Sequence, residues 1–166
     1  MKTIYKSIII AVFIFFSTNW LQAQKATTNL DQLKLAKIFF VGYWQGNIGK
    51  DTVDVMDCQQ YGNAFVINVY RIIKGNKSFS YIMNFGFSTY EGKFKGFTLY
   101  QSGIYMTWIG SFTSEKKFSG DFVRNFNPSE VVAKVEMIFE TPTSMTVKNF
   151  NLDNVKIGEF KWSKVQ

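Results

Sequence analysis

From Phe39 to the C-terminus the chain alternates apolar and polar residues with a period of two, and this pattern limits its fold more than any other feature. The clearest run is Ser78 to Phe87. Phe79, Tyr81, Met83, Phe85 and Phe87 share one face of an extended strand, and mostly small or polar residues share the other. Val131, Ala133, Val135, Met137 and Phe139 form a second apolar stripe, Ile104, Met106, Trp108, Gly110 and Phe112 a third, and Phe160, Trp162 and Lys164 a fourth. One apolar face per strand indicates a sheet with one wet side. The breaks between runs carry turn chemistry, among them Lys74-Gly75-Asn76-Lys77, Gln101-Ser102-Gly103 and Thr141-Pro142-Thr143. Such short connections make neighbouring strands antiparallel partners. A meander with one apolar face leaves two raw edges unless it closes on itself. The expected fold is therefore all-β: an antiparallel up-and-down meander barrel of about 8–10 strands, preceded by a short helix.

The N-terminus has a different character. Lys2 and Lys6 form a positive start, Ile8 to Phe16 an apolar stretch, and Leu21-Gln22-Ala23 a small-residue cleavage site, so residues 1–23 read as a secretory signal peptide. That predicts a secreted or periplasmic mature protein, with a mobile segment at 24–29 and the barrel domain over 30–166. Leu30 to Ile38 contains few helix breakers and predicts the short helix, with Asn29 as its N-cap.

Absent residue types exclude much chemistry. The chain has no histidine, which removes Ser/His/Asp triads, Cys/His pairs and the usual zinc and haem ligation. Its one cysteine, Cys58, cannot form an intramolecular disulfide. With Lys2 and Lys6 removed, 17 basic residues stand against 12 acidic ones, a net +5 spread over runs no longer than two. That spacing suits solubility and does not make a nucleic-acid-binding patch. Asp51, Asp54 and Asp57 recur at every third position, which is not the spacing of a calcium loop, and a strand would divide them between its faces.

A Gly42-x-Trp44 pair opens the first strand directly behind the helix, and an aromatic-rich strand closes the chain. On these residues and the intervening meander the chain resembles the calycins, the lipocalin and fatty-acid-binding-protein superfamily, and in particular small exported bacterial lipocalin-like domains. The resemblance implies that Gly42, Trp44 and a basic residue near the last strand form a structural motif. Lys164 is the match for that basic residue, where lipocalins usually have arginine. It also implies an interior cavity for a hydrophobic or amphipathic small molecule.

The candidate cavity residues are Trp44, Arg71, Phe79, Tyr81, Met83, Phe85, Tyr100, Met106, Trp108 and Trp162. The tryptophans either line a cavity or pack as core. Arg71 follows Phe65, Ile67 and Val69 on one face, and it either clamps a ligand carboxylate or reaches out to water at the rim. Tyr81 and Tyr100 supply hydroxyls to a ligand or point them at a barrel opening. The primary expectation is an exported binding protein with a hydrophobic small molecule as partner and no nucleic acid, membrane span, metal or cofactor. Two other readings stay open: a small isomerase, cyclase or lyase using Arg71, Tyr81 and Tyr100, or a fully packed barrel that binds another protein. An outer-membrane barrel would need a continuous apolar outer band, where this chain places Ser80, Asn84, Lys134, Glu136, Glu140, Glu159 and Lys161.

Overall fold

The computed structural model describes residues 31–165, so the signal-peptide and N-terminal segment readings lie outside the described residues. Asp31 caps a helix α1 (Gln32–Phe39), its Oδ1 accepting from the Lys34 backbone N–H at 2.9 Å. The helix thus starts later than the Asn29 cap would place it, because the Asp31 carboxylate satisfies one of the N–H groups left free in the first turn.

Ten strands follow: β1 (Gly42–Gly49), β2 (Thr52–Tyr61), β3 (Ala64–Ile73), β4 (Asn76–Ser88), β5 (Lys93–Tyr100), β6 (Tyr105–Ser114), β7 (Lys117–Arg124), β8 (Asn127–Thr141), β9 (Ser144–Phe150) and β10 (Lys156–Lys164). Each is antiparallel to its sequence neighbour, and β1 pairs with β10, which closes the sheet into an up-and-down barrel. Tight turns set the registers. The Lys74-Gly75 turn between β3 and β4 has positive φ at both residues, the conformation that suits the right-handed twist of a hairpin. The closing junction is brief, with Trp44, Gln45 and Gly46 of β1 opposite Lys164, Ser163 and Trp162 of β10. Among the described residues, no helix is long and apolar enough to cross a membrane.

The two ends of the barrel differ. Helix α1 lies across one end, where Ala36, Phe39 and Phe40 are buried. The Phe39 ring stacks on Phe139 at 4.4 Å between centroids, and Phe40 meets Phe85, Phe118 and Phe139 edge-on. Phe65, Phe94 and Phe112 complete this buried cluster. A two-point hydrogen bond fixes the helix to the wall: Gln32 Nε2 donates to the Phe112 carbonyl at 3.0 Å, and the Phe112 N–H donates to Gln32 Oε1 at 2.8 Å. The Gln32 amide thereby treats the Phe112 backbone as a neighbouring strand would, leaving no buried peptide group of that residue unpaired.

The structure corrects the expected apolar stripes at Phe79, Val131 and Ile104; Val131 pairs with Val123 across a bulge at Val132 and so leaves the face of Ala133. Alternation places Phe79 on the inner face of β4, but it pairs with Tyr70 on the outer wall, is 38% exposed, and packs its ring edge-on against Tyr70. A bulge is the cause. Val69 pairs with Tyr81 and Tyr70 with Phe79, so Ser80 is an extra residue and everything before it changes face. Ile104 is also displaced from its expected stripe, since it lies in the turn before β6 and is exposed.

Candidate functional site

At the helix-covered end the Gly42-x-Trp44 pair and Lys164 come together. The Trp44 indole is buried and donates its N–H to the Phe40 carbonyl at 3.0 Å. Lys164 lies opposite Trp44 in the β1–β10 register, with Nζ 5.1 Å from the centre of its ring, and donates to the Ile38 carbonyl at 3.0 Å. One ammonium thus joins the helix, the first strand and the last, and its partial burial lowers its pKa. Cys58 lies opposite Gly42 on the inner face, and burial pushes its thiol up to about 12. Phe85 belongs to this packed end, stacked on Phe65 at 4.9 Å. Trp162 lies flat across Gly46, where a Cβ would sit 2.6 Å from the indole, so only glycine fits beneath it.

Toward the other end the inner wall changes. Met56, Tyr81, Met83, Tyr100 and Met106 face inward yet are only half-buried, whereas Phe65, Phe94, Phe112, Phe118 and Phe139 at the helix end are buried completely. Inner side chains thus stay within reach of water toward this mouth. Its polar fitting is an ion pair. Asp54 and Arg71 are partners in the β2–β3 register, with Arg71 Nε donating to Asp54 Oδ1 at 2.8 Å and Nη2 to Oδ2 at 2.9 Å. The Arg71 side chain is 40% exposed and that of Asp54 only 6%, so the guanidinium covers the carboxylate like a lid. This hydrogen bonding raises the Arg71 pKa. Tyr81 and Tyr100 lie opposite each other with ring centroids 5.4 Å apart, and burial raises the pKa of both phenols. The Tyr100 hydroxyl rests on Met106 Sδ at 3.8 Å.

Trp108 lies between the packed end and this mouth. Its indole lies over Gly96, where a Cβ would meet Cζ2 at 2.7 Å, and touches the rings of Phe85 and Phe118. Thr98, also on the inner face, is buried nearby on β5.

The candidate residues therefore divide. Arg71, Tyr81, Met83, Tyr100, Met106 and Trp108 lie on the inner wall from its middle toward this mouth, Trp44, Phe85 and Trp162 join the packed end, and Phe79 lies outside. The three aspartates are not brought together, since Asp54 points inward while Asp57 accepts from Gln59 on the outer face. Three residues of consequence escaped the sequence reading. These are Asp54 as the partner of Arg71, Gln32 as the helix anchor, and Thr98 as a buried hydroxyl. Counting outward from the Gly62-Asn63 turn pairs Asp54 with Arg71, so that one was recoverable.

A separate recess of about 560 Å³ lies on the outer wall among Val66, Asn84, Phe97 and Phe126. Phe126 holds a left-handed backbone with φ of 60°, and its N–H donates to Thr107 Oγ1 at 3.0 Å.

No family model matches the chain, and no curated protein matches its sequence.

Proposed function

We propose that this chain is an exported lipocalin-like binding protein that holds a hydrophobic or amphipathic small molecule in the open half of its barrel. The observation that carries the reading is the contrast within one inner wall: side chains at the helix end are fully buried, and those toward the other mouth are not. Kinship with the calycins draws support from the closed ten-strand meander, Gly42-x-Trp44 on the first strand, and Lys164 across the indole. Export is supported by the Lys2 and Lys6 start, the Ile8 to Phe16 apolar stretch and the Leu21-Gln22-Ala23 site. The outer wall favours water over lipid, because it carries ion pairs such as Lys117–Glu136 where a membrane barrel needs an apolar band.

Native mass spectrometry of the protein purified without detergent, with organic extraction of whatever it carries, tests the reading. A stoichiometric apolar small molecule is the expected result. If none co-purifies, and no member of a diverse apolar panel changes the fluorescence of Trp108, the binding reading is wrong.

A further inference from the structure

The outer wall has two unlike halves. On β7 to β10 opposite charges meet across the register: Asp121 faces Lys134, and Glu136 and Glu159 flank Lys148. These charges set the barrel apart from one that spans a membrane. On β3 to β6 the outward residues are largely apolar. Tyr70 pairs with Phe79, Ile82 with Leu99 and Leu99 with Tyr105, and Phe97 lies one row along. Phe79, Phe97, Leu99 and Tyr105 are all exposed. The recess of about 560 Å³ beside Phe97 and Phe126 lies on the same flank. Apolar side chains that adjoin one another over four strands mark a contact surface, where single ones scattered over a wall do not.

Charge says what that surface meets. Between Ala64 and Ser114 the chain has Arg71, Lys74, Lys77, Lys93 and Lys95 against one acid, Glu91. Eleven of the 12 acidic residues lie elsewhere, balanced there by eleven of the described basic ones. The excess positive charge of the described residues is thus confined to the apolar flank. Arg71 is held by Asp54 and Lys95 by Glu91, whereas Lys74, Lys77 and Lys93 make no ion pair among the described residues. Lys77 lies over the Tyr70 ring, its Nζ 4.2 Å from the centre. Lys74 and Lys77 stand at one end of β4, and Lys93, opposite Ser88, at the other. The apolar flank therefore runs between two positive ends.

A second copy of the chain suits this face poorly, because a two-fold contact would set the same positive patch on both sides. The face fits a surface that is negative outside and apolar just beneath. Lysine stems lie along apolar neighbours while their ammonium groups reach phosphate, and aromatic and leucine tips enter the acyl boundary. We propose that the β3–β6 flank docks the barrel side-on against a bilayer containing anionic lipid, without crossing it. Such docking uses outward side chains alone and leaves the interior free.

Residues 24–166 contain the entire helix and barrel and are the chain left by cleavage after Ala23. Flotation of this chain with phosphatidylcholine vesicles, pure or with one quarter phosphatidylglycerol, tests the docking. At low salt the anionic vesicles should bind about 100-fold more strongly than the neutral ones, and an ionic strength of about 1 M should erase most of that difference. Lys74→Gln, Lys77→Gln and Lys93→Gln together should bring anionic binding down to the neutral level. Lys134→Gln, Lys148→Gln and Lys161→Gln remove the same charge from the other half and should leave most of it. Phe97→Ser with Leu99→Ser should weaken anionic binding about tenfold and keep its salt dependence. Melting curves establish that each variant folds, and the wild-type comparison of the two vesicles stands where one does not. No flotation with anionic vesicles at low salt, or equal losses from the two lysine triples, overturns the docking. A dimer that Phe97→Ser with Leu99→Ser dissolves, in place of flotation, assigns the flank to a second copy. Equal binding to soluble poly-glutamate assigns it to an acidic protein, and either result overturns the membrane assignment.

Discussion

The two halves of this barrel are built from the same alternating strands and differ in what their inner faces do. At the helix end, ring meets ring: Phe39 on Phe139, Phe65 on Phe85, Phe112 on Phe118, with α1 as a stopper pinned by Gln32. Toward the other mouth the wall is methionine, tyrosine and one covered ion pair, and it stays in reach of water. Large rigid rings facing one another across a small barrel fill it. Thioethers adapt to whatever is next to them, and phenols keep one polar end that favours an opening. Close packing and access to water thus occupy separate ends of one sheet.

Matched truncations test that separation most severely. Phe139→Ala removes a ring that is fully buried among others and should cost about 3–5 kcal/mol in chemical denaturation, whereas Met83→Ala removes a side chain that water already reaches and should cost only about 1 kcal/mol. Equal costs would mean the whole interior is one packed core. Next in size is Arg71→Ala, which leaves the Asp54 carboxylate buried without its partner. The guanidinium is substantially exposed, so solvent screening discounts the loss to about 2 kcal/mol at neutral pH. Arg71→Ala together with Asp54→Ala should recover part of that loss, and failure to recover any would show that the pair is not coupled. The smallest effect is in the alkaline limb. The folded Cys58 thiol titrates only at about 12, so its contribution is fully present below the ordinary thiol range and is lost as pH rises toward 12. Cys58→Ala should flatten that decline slightly, and a thiol reagent at pH 8 should label the wild type no faster than the fold opens.

The barrel itself was legible because alternation and turn residues are local properties, and ten strands separated by short turns leave few ways to bury one face. Phe79 shows where that ends. Its own strand alternates without interruption, and the bulge at Ser80 exists only in relation to the pairing of Val69 and Tyr70 on the neighbouring strand. The site was legible to a similar depth. Arg71 could be placed on the inner face from its own strand, but its occupation by Asp54 depends on the β2–β3 register. That pairing replaces a free clamp for a carboxylate with a neutral unit, so the chemistry of the mouth follows from the register and not from the arginine. Gln32 lay beyond reach for another reason: its partner is the backbone of Phe112, and no side-chain pattern marks a peptide group as an anchor.

The short junction of β1 with β10 has a consequence for the life of the molecule. Hairpin neighbours can zip up locally as the chain condenses, but this one hoop is completed by the two ends of the domain, which must meet after everything between them is in place. A ring so assembled is finished last and frays first. Its persistence is then governed by the rate at which a few peptide groups around Trp44 and Trp162 let go, while the aromatic interior stays intact behind them.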